Sequence, residues 1–323
     1  MNKAIYLCLF IFLCFKAFAM GQSGQHKENF KIVGYFSLQS AMTVDPDSVP
    51  FDKLTHVNLW FLNPDSLGNF SQDLSGLSNF ISYAHKQQVK VLVSIGGGSR
   101  QSQYRQLLKD SHRKKLIDNL MQIVKTINLD GIDVDLEGDD IDENYEKFVV
   151  ELATELKSQN KLITAAIAVY YKEKLTDKAL AQYDFVNIMS YDRTGPWNPQ
   201  KPGPHATFTN AWEDLNYFGI ERSIPKEKMV LGVPFYGYGY DLNLSAPATS
   251  MNYGEITATF PGSENVDEWE MHDGKIIYYN GIHTIKQKTA LAKEKASGIM
   301  IWQIRGDASG EKSLLNAINE IAY

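Results

Sequence analysis

Residues 129–140 read LDGIDVDLEGDD, and within them acids and aliphatics alternate: Asp133, Val134, Asp135, Leu136, Glu137. A two-residue period belongs to a β-strand, whose successive side chains point to opposite faces. Asp133, Asp135 and Glu137 therefore share one face, spaced about 6.6 Å apart along the backbone. Ile132, Val134 and Leu136 share the other. A solvent-exposed edge strand has no reason to carry an aliphatic residue at every second position, and no EF-hand spacing follows. The segment 130–137 is thus read as a strand buried on both sides, its acids facing an enclosed interior. Desolvation and like-charge repulsion both raise a carboxyl pKa. The stack is expected to keep at least one proton near neutral pH, as a general acid must. Asp130, before the alternation starts, is expected to orient the start of the strand.

Working outward, similar apolar runs recur at 31–36 (KIVGYF), 56–62 (HVNLWFL), 89–97 (VKVLVSIGG), 162–170 (LITAAIAVY), 185–192 (FVNIMSYD), 229–237 (MVLGVPFYG) and 298–304 (GIMIWQI). With 130–138 they make eight. Near-continuous apolar runs are how parallel strands covered on both faces look in sequence. Amphipathic segments lie between them, at 76–88, 112–128, 143–161 and 282–296. The clearest, 143–161, puts Tyr145, Phe148, Val149, Leu152 and Leu156 on one stripe. Eight β-then-α units over about 290 residues match the size of an α/β fold of the (β/α)8 TIM-barrel type. A doubly wound open sheet is the alternative. The barrel is preferred because most of the strands end in polar clusters, where barrels build their sites. Two connections exceed what a crossover helix needs. Residues 192–210 are rich in Gly and Pro and are read as a loop over the site. Residues 241–281 suggest a small β-containing insertion after the seventh strand.

The chain of 323 residues is 44% hydrophobic, with 38 acidic against 32 basic side chains and a net charge of −6. An acidic surface without clustered Lys and Arg disfavours nucleic acid and anionic membranes as partners. Residues 1–19 have the pattern of a secretory signal: Lys3, an apolar run from Ala4 to Phe15, and Ala17-Phe18-Ala19 as the cleavage site. Lys16 interrupts the run too early for a membrane anchor. Residues 20–30 read as a polar leader and 31–323 as one catalytic domain. A secreted or periplasmic protein is expected, free of the membrane once the signal is cleaved. Cys8 and Cys14 both lie in the signal, so the mature chain would have neither a disulfide nor a thiol nucleophile. Loss of Lys3 and Lys16 leaves 30 basic against 38 acidic side chains, a net of −8. The seven histidines lack paired metal-ligand spacing, and none needs to be more than a surface or core residue. No Walker or dinucleotide fingerprint occurs. Neither a metal nor a cofactor is expected.

The spacing Asp130-x-x-Asp133-x-Asp135-x-Glu137 resembles the DxxDxDxE signature of family-18 glycoside hydrolases, the chitinase family. Supporting motifs follow the same order: Ser94–Gly98 (SIGGG) resembles that family's SxGG, Met189–Asp192 (MSYD) its MxYD, and 298–307 (GIMIWQIRGD) the last-strand segment whose Trp, here Trp302, floors the cleavage subsite. The resemblance spans residues 31 to about 310. It implies a substrate-assisted, retaining mechanism. Glu137 would be the acid, Asp135 would hold the substrate acetamido N–H, and Asp133 would share a proton or hydrogen bond beneath it. Tyr191 would bind the acetamido oxygen and Asp192 the distorted sugar. Tyr35 and Ser94 resemble the pair that hydrogen-bonds the innermost aspartate.

Sugar rings stack on aromatic side chains. The candidate platforms are Trp302, Tyr236, Trp197, Phe235 and Trp60, with Trp60 also readable as core; Met189 joins the substrate-binding set through its motif. The resemblance implies chitin or other N-acetylglucosamine-containing glycans as the partner, handled by a monomer. Within it, a chitinase is the leading activity, toward which the complete MSYD leans, with an endo-β-N-acetylglucosaminidase of N-glycan cores or a non-catalytic chitin-binding lectin as alternatives. The presence of Glu137 with both aspartates argues against the last.

Overall fold

In the computed structural model, which describes residues 30–243, 247–271 and 274–323, each of the eight apolar runs contains a strand. These are β1 (Lys31–Ser37), β2 (His56–Trp60), β3 (Lys90–Gly96), β4 (Gly131–Asp135), β5 (Leu162–Ile167), β6 (Phe185–Ile188) and β7 (Met229–Pro234). Four strands β8–β11 follow in an insertion before β12 (Gly298–Trp302). The eight parallel strands close in the order β1-β12-β7-β6-β5-β4-β3-β2. This is the expected TIM barrel, and closure rules out the open sheet. The expected signal, Cys8, Cys14 and nearly all of the polar leader lie outside the described residues.

The alternation read from β4 is realised. Ile132, Val134 and Leu136 lie in the outer core shared with the helices, and Asp133 and Asp135 point inward. Strands end earlier than the runs because pairing stops where the chain turns toward the site. The pairing of β4 ends at Asp135 opposite Gly96 of β3, after which Gly97 (φ +102°) swings away. Glu137 is therefore just beyond the strand, but its backbone stays extended (φ −123°, ψ 150°), which continues the alternation.

Helices Leu77–Lys86, Asp110–Thr126, Tyr145–Ser158 and Ile282–Lys295 match the four amphipathic segments. All five stripe residues of the third are buried. Helix Leu314–Ala322, begun by the Ser313 side chain accepting from Asn316 N, adds a further apolar face. The segment read as a loop, 192–210, gives way at Phe208 to a helix ending at Asn216, capped by Thr207 with Asn210. Among the described residues no helix is long and apolar enough to cross a membrane.

After β7 comes an antiparallel sheet of order β10-β11-β8-β9: β8 (Tyr236–Asp241), β9 (Thr249–Asn252), β10 (Glu268–Met271) and β11 (Lys275–Tyr278). The insertion thus reaches back to Tyr236 rather than starting near residue 241. Its first strand repeats Tyr at 236, 238 and 240, all buried against the inner cluster, so one tyrosine face looks toward the barrel.

Candidate active site

Asp133 is fully buried. Its Oδ2 accepts from Tyr35 Oη (2.6 Å) and Ser94 Oγ (2.8 Å). Its Oδ1 accepts from Thr164 Oγ1 (2.5 Å) and Asn187 Nδ2 (3.3 Å). Donors from β1, β3, β5 and β6 thus converge on one β4 carboxyl. Burial raises its pKa and the four hydrogen bonds lower it; burial prevails. Asp135, only 3% exposed, lacks a hydrogen bond to Oδ1 among the described residues. Burial first, then Glu137 and Asp133, hold it well above the usual carboxylate range. Glu137 is pushed up to about 7 by burial, with Asp192 and Asp140 adding repulsion. The upward shifts of Asp135 and Glu137 run in the direction that the sequence reading expects.

The glycines after β3 make room for the acids. Gly96 and Gly97 both have φ near +100°, and Gly97 N–H donates to Asp135 O (2.7 Å). A Cβ on Gly96 would lie 2.2 Å from Asp135 O, and one on Gly97 2.4 Å from the Phe61 ring. At Gly98 it would come to 3.4 Å from Glu137 Oε1.

Beyond β6, Tyr191 is buried with its Oη 3.9 Å from Met300 Sδ, and its carbonyl accepts from Tyr170 Oη (3.2 Å). Asp192 takes a left-handed backbone (φ +62°). Its Oδ1 accepts from Tyr236 Oη (2.5 Å) and Tyr238 Oη (3.0 Å). The next residue, Arg193, pairs with the buried Asp214 and lies over the Tyr170 ring. Met189 is partly buried and packs between the inner and outer cores.

Trp302 is half-buried at the barrel mouth, 5.3 Å from Tyr35 and stacked on Phe61 at 5.9 Å between ring centroids. Two platform candidates change status. Phe235 is fully buried, its N–H donating to Trp302 O (2.8 Å), so it is core. Trp60, readable as core, stands half-buried 5.5 Å from Trp302 and joins the aromatic wall. Trp197 is 63% exposed and edge-on to Tyr238 at 5.7 Å. Asp130 is away from the acids, accepting from Val91 N and His85 Nε2, both at 2.7 Å. It ties the start of β4 to β3, as expected.

The sequence reading missed Thr164, Asn187, Tyr238 and His205. Thr164 and Asn187 did leave a signal: each is a polar residue inside an otherwise apolar run. His205 left none, since only folding brings it to Asp192. Among the described residues no group of three His, Cys, Asp or Glu side chains is placed to hold a metal ion.

Several known proteins resemble this chain in sequence or fold. The GH18 chitinase ChiB from the chitin utilization locus of Flavobacterium johnsoniae is 36% identical, with a TM-score of 0.82 over 91% of this chain and 94% of that one. Human Chitinase-3-like protein 2 is 25% identical over 285 residues, 70% of this chain and 71% of its own length. A class V chitinase from Nicotiana tobaccum, in complex with NAG4, is 22% identical with a TM-score of 0.76, over 91% of this chain and 99% of its own; it shows likeness of fold alone. The sequence profile described as Glycosyl hydrolases family 18 matches residues 31–307, and the chain belongs to that family.

Proposed function

We propose that the protein is a chitinase, exported by its N-terminal signal, that hydrolyses β-1,4 bonds between N-acetylglucosamine units. The observation that carries this reading is the graded acid stack. Asp133 is bonded by four donors, Asp135 is buried above it with its pKa held well above the usual carboxylate range, and Glu137 at the mouth is pushed up to about 7.

The chemistry runs as follows. Protonated Glu137 donates to the glycosidic oxygen as the C1–O bond breaks. The acetamido carbonyl oxygen of the same sugar attacks C1 and forms an oxazolinium ion, so the enzyme needs no carboxylate nucleophile. Asp135 accepts a hydrogen bond from the acetamido N–H, and its own proton passes to Asp133 as positive charge develops on the ring. Tyr191 Oη donates to the acetamido oxygen, Asp192 bonds the distorted sugar, and Trp302 supports its apolar face. Glu137, now ionised, takes a proton from water as water adds to C1. The oxazolinium reopens with the anomeric configuration retained. The names of similar proteins include both chitinases and a chitinase-like protein; the intact Glu137 favours catalysis.

The test is hydrolysis of a chitooligosaccharide with a fluorescent leaving group, using wild type and Glu137→Gln. Turnover lost in the variant supports the reading. Binding without turnover by the wild type would replace it with a lectin.

A further inference from the structure

The ring of His205 is fully buried between the phenol rings of Tyr236 and Tyr238, at centroid distances of 5.1 and 4.8 Å. Neither ring nitrogen makes a hydrogen bond among the described residues. Nδ1 lies 3.3 Å from Asp192 Oδ1 without forming a hydrogen bond to it. Buried imidazoles normally satisfy at least one nitrogen, so this contact calls for an account.

The backbone at His205 is held firmly. Its carbonyl accepts from Arg193 N (3.0 Å). The next carbonyl, that of Ala206, accepts from Lys288 Nζ and Asn280 Nδ2, both at 2.8 Å, and Lys288 is itself fully buried. The ring is wedged between two tyrosines, whereas the Asp192 side chain is about one-third exposed. Of the two groups the carboxylate has the freedom to move. Tyr236, Tyr238 and His205 all approach its Oδ1, which leaves Oδ2 for the sugar. Catalytic hydrogen bonds are often long in the free enzyme and tighten in the complex.

We propose that His205 is a positioning residue for Asp192: when a sugar draws the carboxylate into line, Nδ1–H completes a three-donor grip on Oδ1 and aims Oδ2 at the substrate. This rests on the reading of Asp192 as a sugar contact.

The test compares His205→Leu, His205→Asn and His205→Gln on chitooligosaccharides. An Asn amide can put a donor where Nδ1 lies, a Gln amide cannot, and Leu has none. Losing a hydrogen bond to a charged group predicts a fall of about 10- to 100-fold in kcat/KM for His205→Leu, mostly in kcat. His205→Asn should recover to within about threefold of wild type, and His205→Gln should stay low. Equal loss in all three, with thermal unfolding midpoints near that of wild type, would reduce His205 to packing and overturn the proposal, as would full activity in all. If His205→Leu does not fold, the Asn and Gln variants alone decide: parity between them is the overturning result.

A wild type that cleaves no chitooligosaccharide would sink the proposed function without deciding this point. The imidazole proton of the 15N-histidine-labelled full chain decides it separately. A His205 Nδ1–H signal that moves in Asp192→Ala upholds the grip. A ring protonated at Nε2, or a signal unmoved in Asp192→Ala, overturns it.

Discussion

A carboxyl that donates a proton and then takes it back must sit where charge is neither forbidden nor cheap. Glu137 meets that condition at the rim of the stack: burial and the nearby Asp192 push it up to about 7, while burial and its two acidic neighbours hold Asp135 below it well above the usual carboxylate range. The proposed role as acid requires Glu137 to be protonated, so kcat/KM should fall as pH rises through about 7; a pH–rate profile flat to pH 9 would contradict this assignment. The same shift affects stability. Folding raises the Glu137 pKa from 4.5 to about 7, so its contribution is complete below pH 4.5 and is lost as pH rises through 7. Glu137→Gln should therefore be more stable than wild type at pH 8, by up to about 3 kcal/mol, and no different near pH 4. Urea unfolding at the two pH values measures it. At the base of the stack, Tyr35→Phe removes one of the four donors to Asp133. The expected cost is about 1–3 kcal/mol of stability together with reduced turnover, read from denaturation and kinetics on one preparation.

At the scale of elements, the β3–loop junction and the β6 end shape the site. Gly97→Ala would place a methyl 2.4 Å from Phe61 at φ +102°; both the clash and the backbone oppose it, at a cost of about 2–4 kcal/mol. Chitooligosaccharide turnover should fall in this variant, since the loop beside Glu137 shifts. An unfolding midpoint unchanged from wild type would show that the loop absorbs the methyl. The strands were legible because β4 alternates and its neighbours are continuous apolar runs, two patterns that period and length alone can read. Glu137 lying past the strand was not legible, because where pairing stops depends on Gly97 in a neighbouring element. Helix Phe208–Asn216 was hidden by the Gly- and Pro-rich segment before it, although Thr207 and Asn210 form its capping box. The insertion was seen as β-containing, but three of its four strands have only four residues, too few to fix boundaries by alternation.

In the whole molecule, a barrel supplies four donors from four strands to one buried acid, an arrangement that sequence shows only in part. Thr164 and Asn187 interrupt apolar runs, a signal the sequence reading passed over, whereas Tyr238 and His205 reach Asp192 from the insertion and from a loop. Pairing across such distances has no period to read. The modest insertion, a four-stranded sheet with the short helix Tyr253–Thr259, suits a shallow groove that admits chains along its length. For the proposed chitinase we therefore predict internal cleavage: polymer viscosity should drop early, with mixed oligomers released. Disaccharide release with viscosity preserved would argue for a closed, processive cleft. The central claim is that Glu137 is the acid of a chitinase. Its most direct test sets wild type beside Glu137→Gln on a fluorogenic chitooligosaccharide and on a high-mannose N-glycopeptide. Oligosaccharide cleavage by wild type that falls by about 10²- to 10⁴-fold in the variant is the predicted result. Cleavage of the glycopeptide alone would contradict the substrate, and equal turnover by both proteins would contradict the acid.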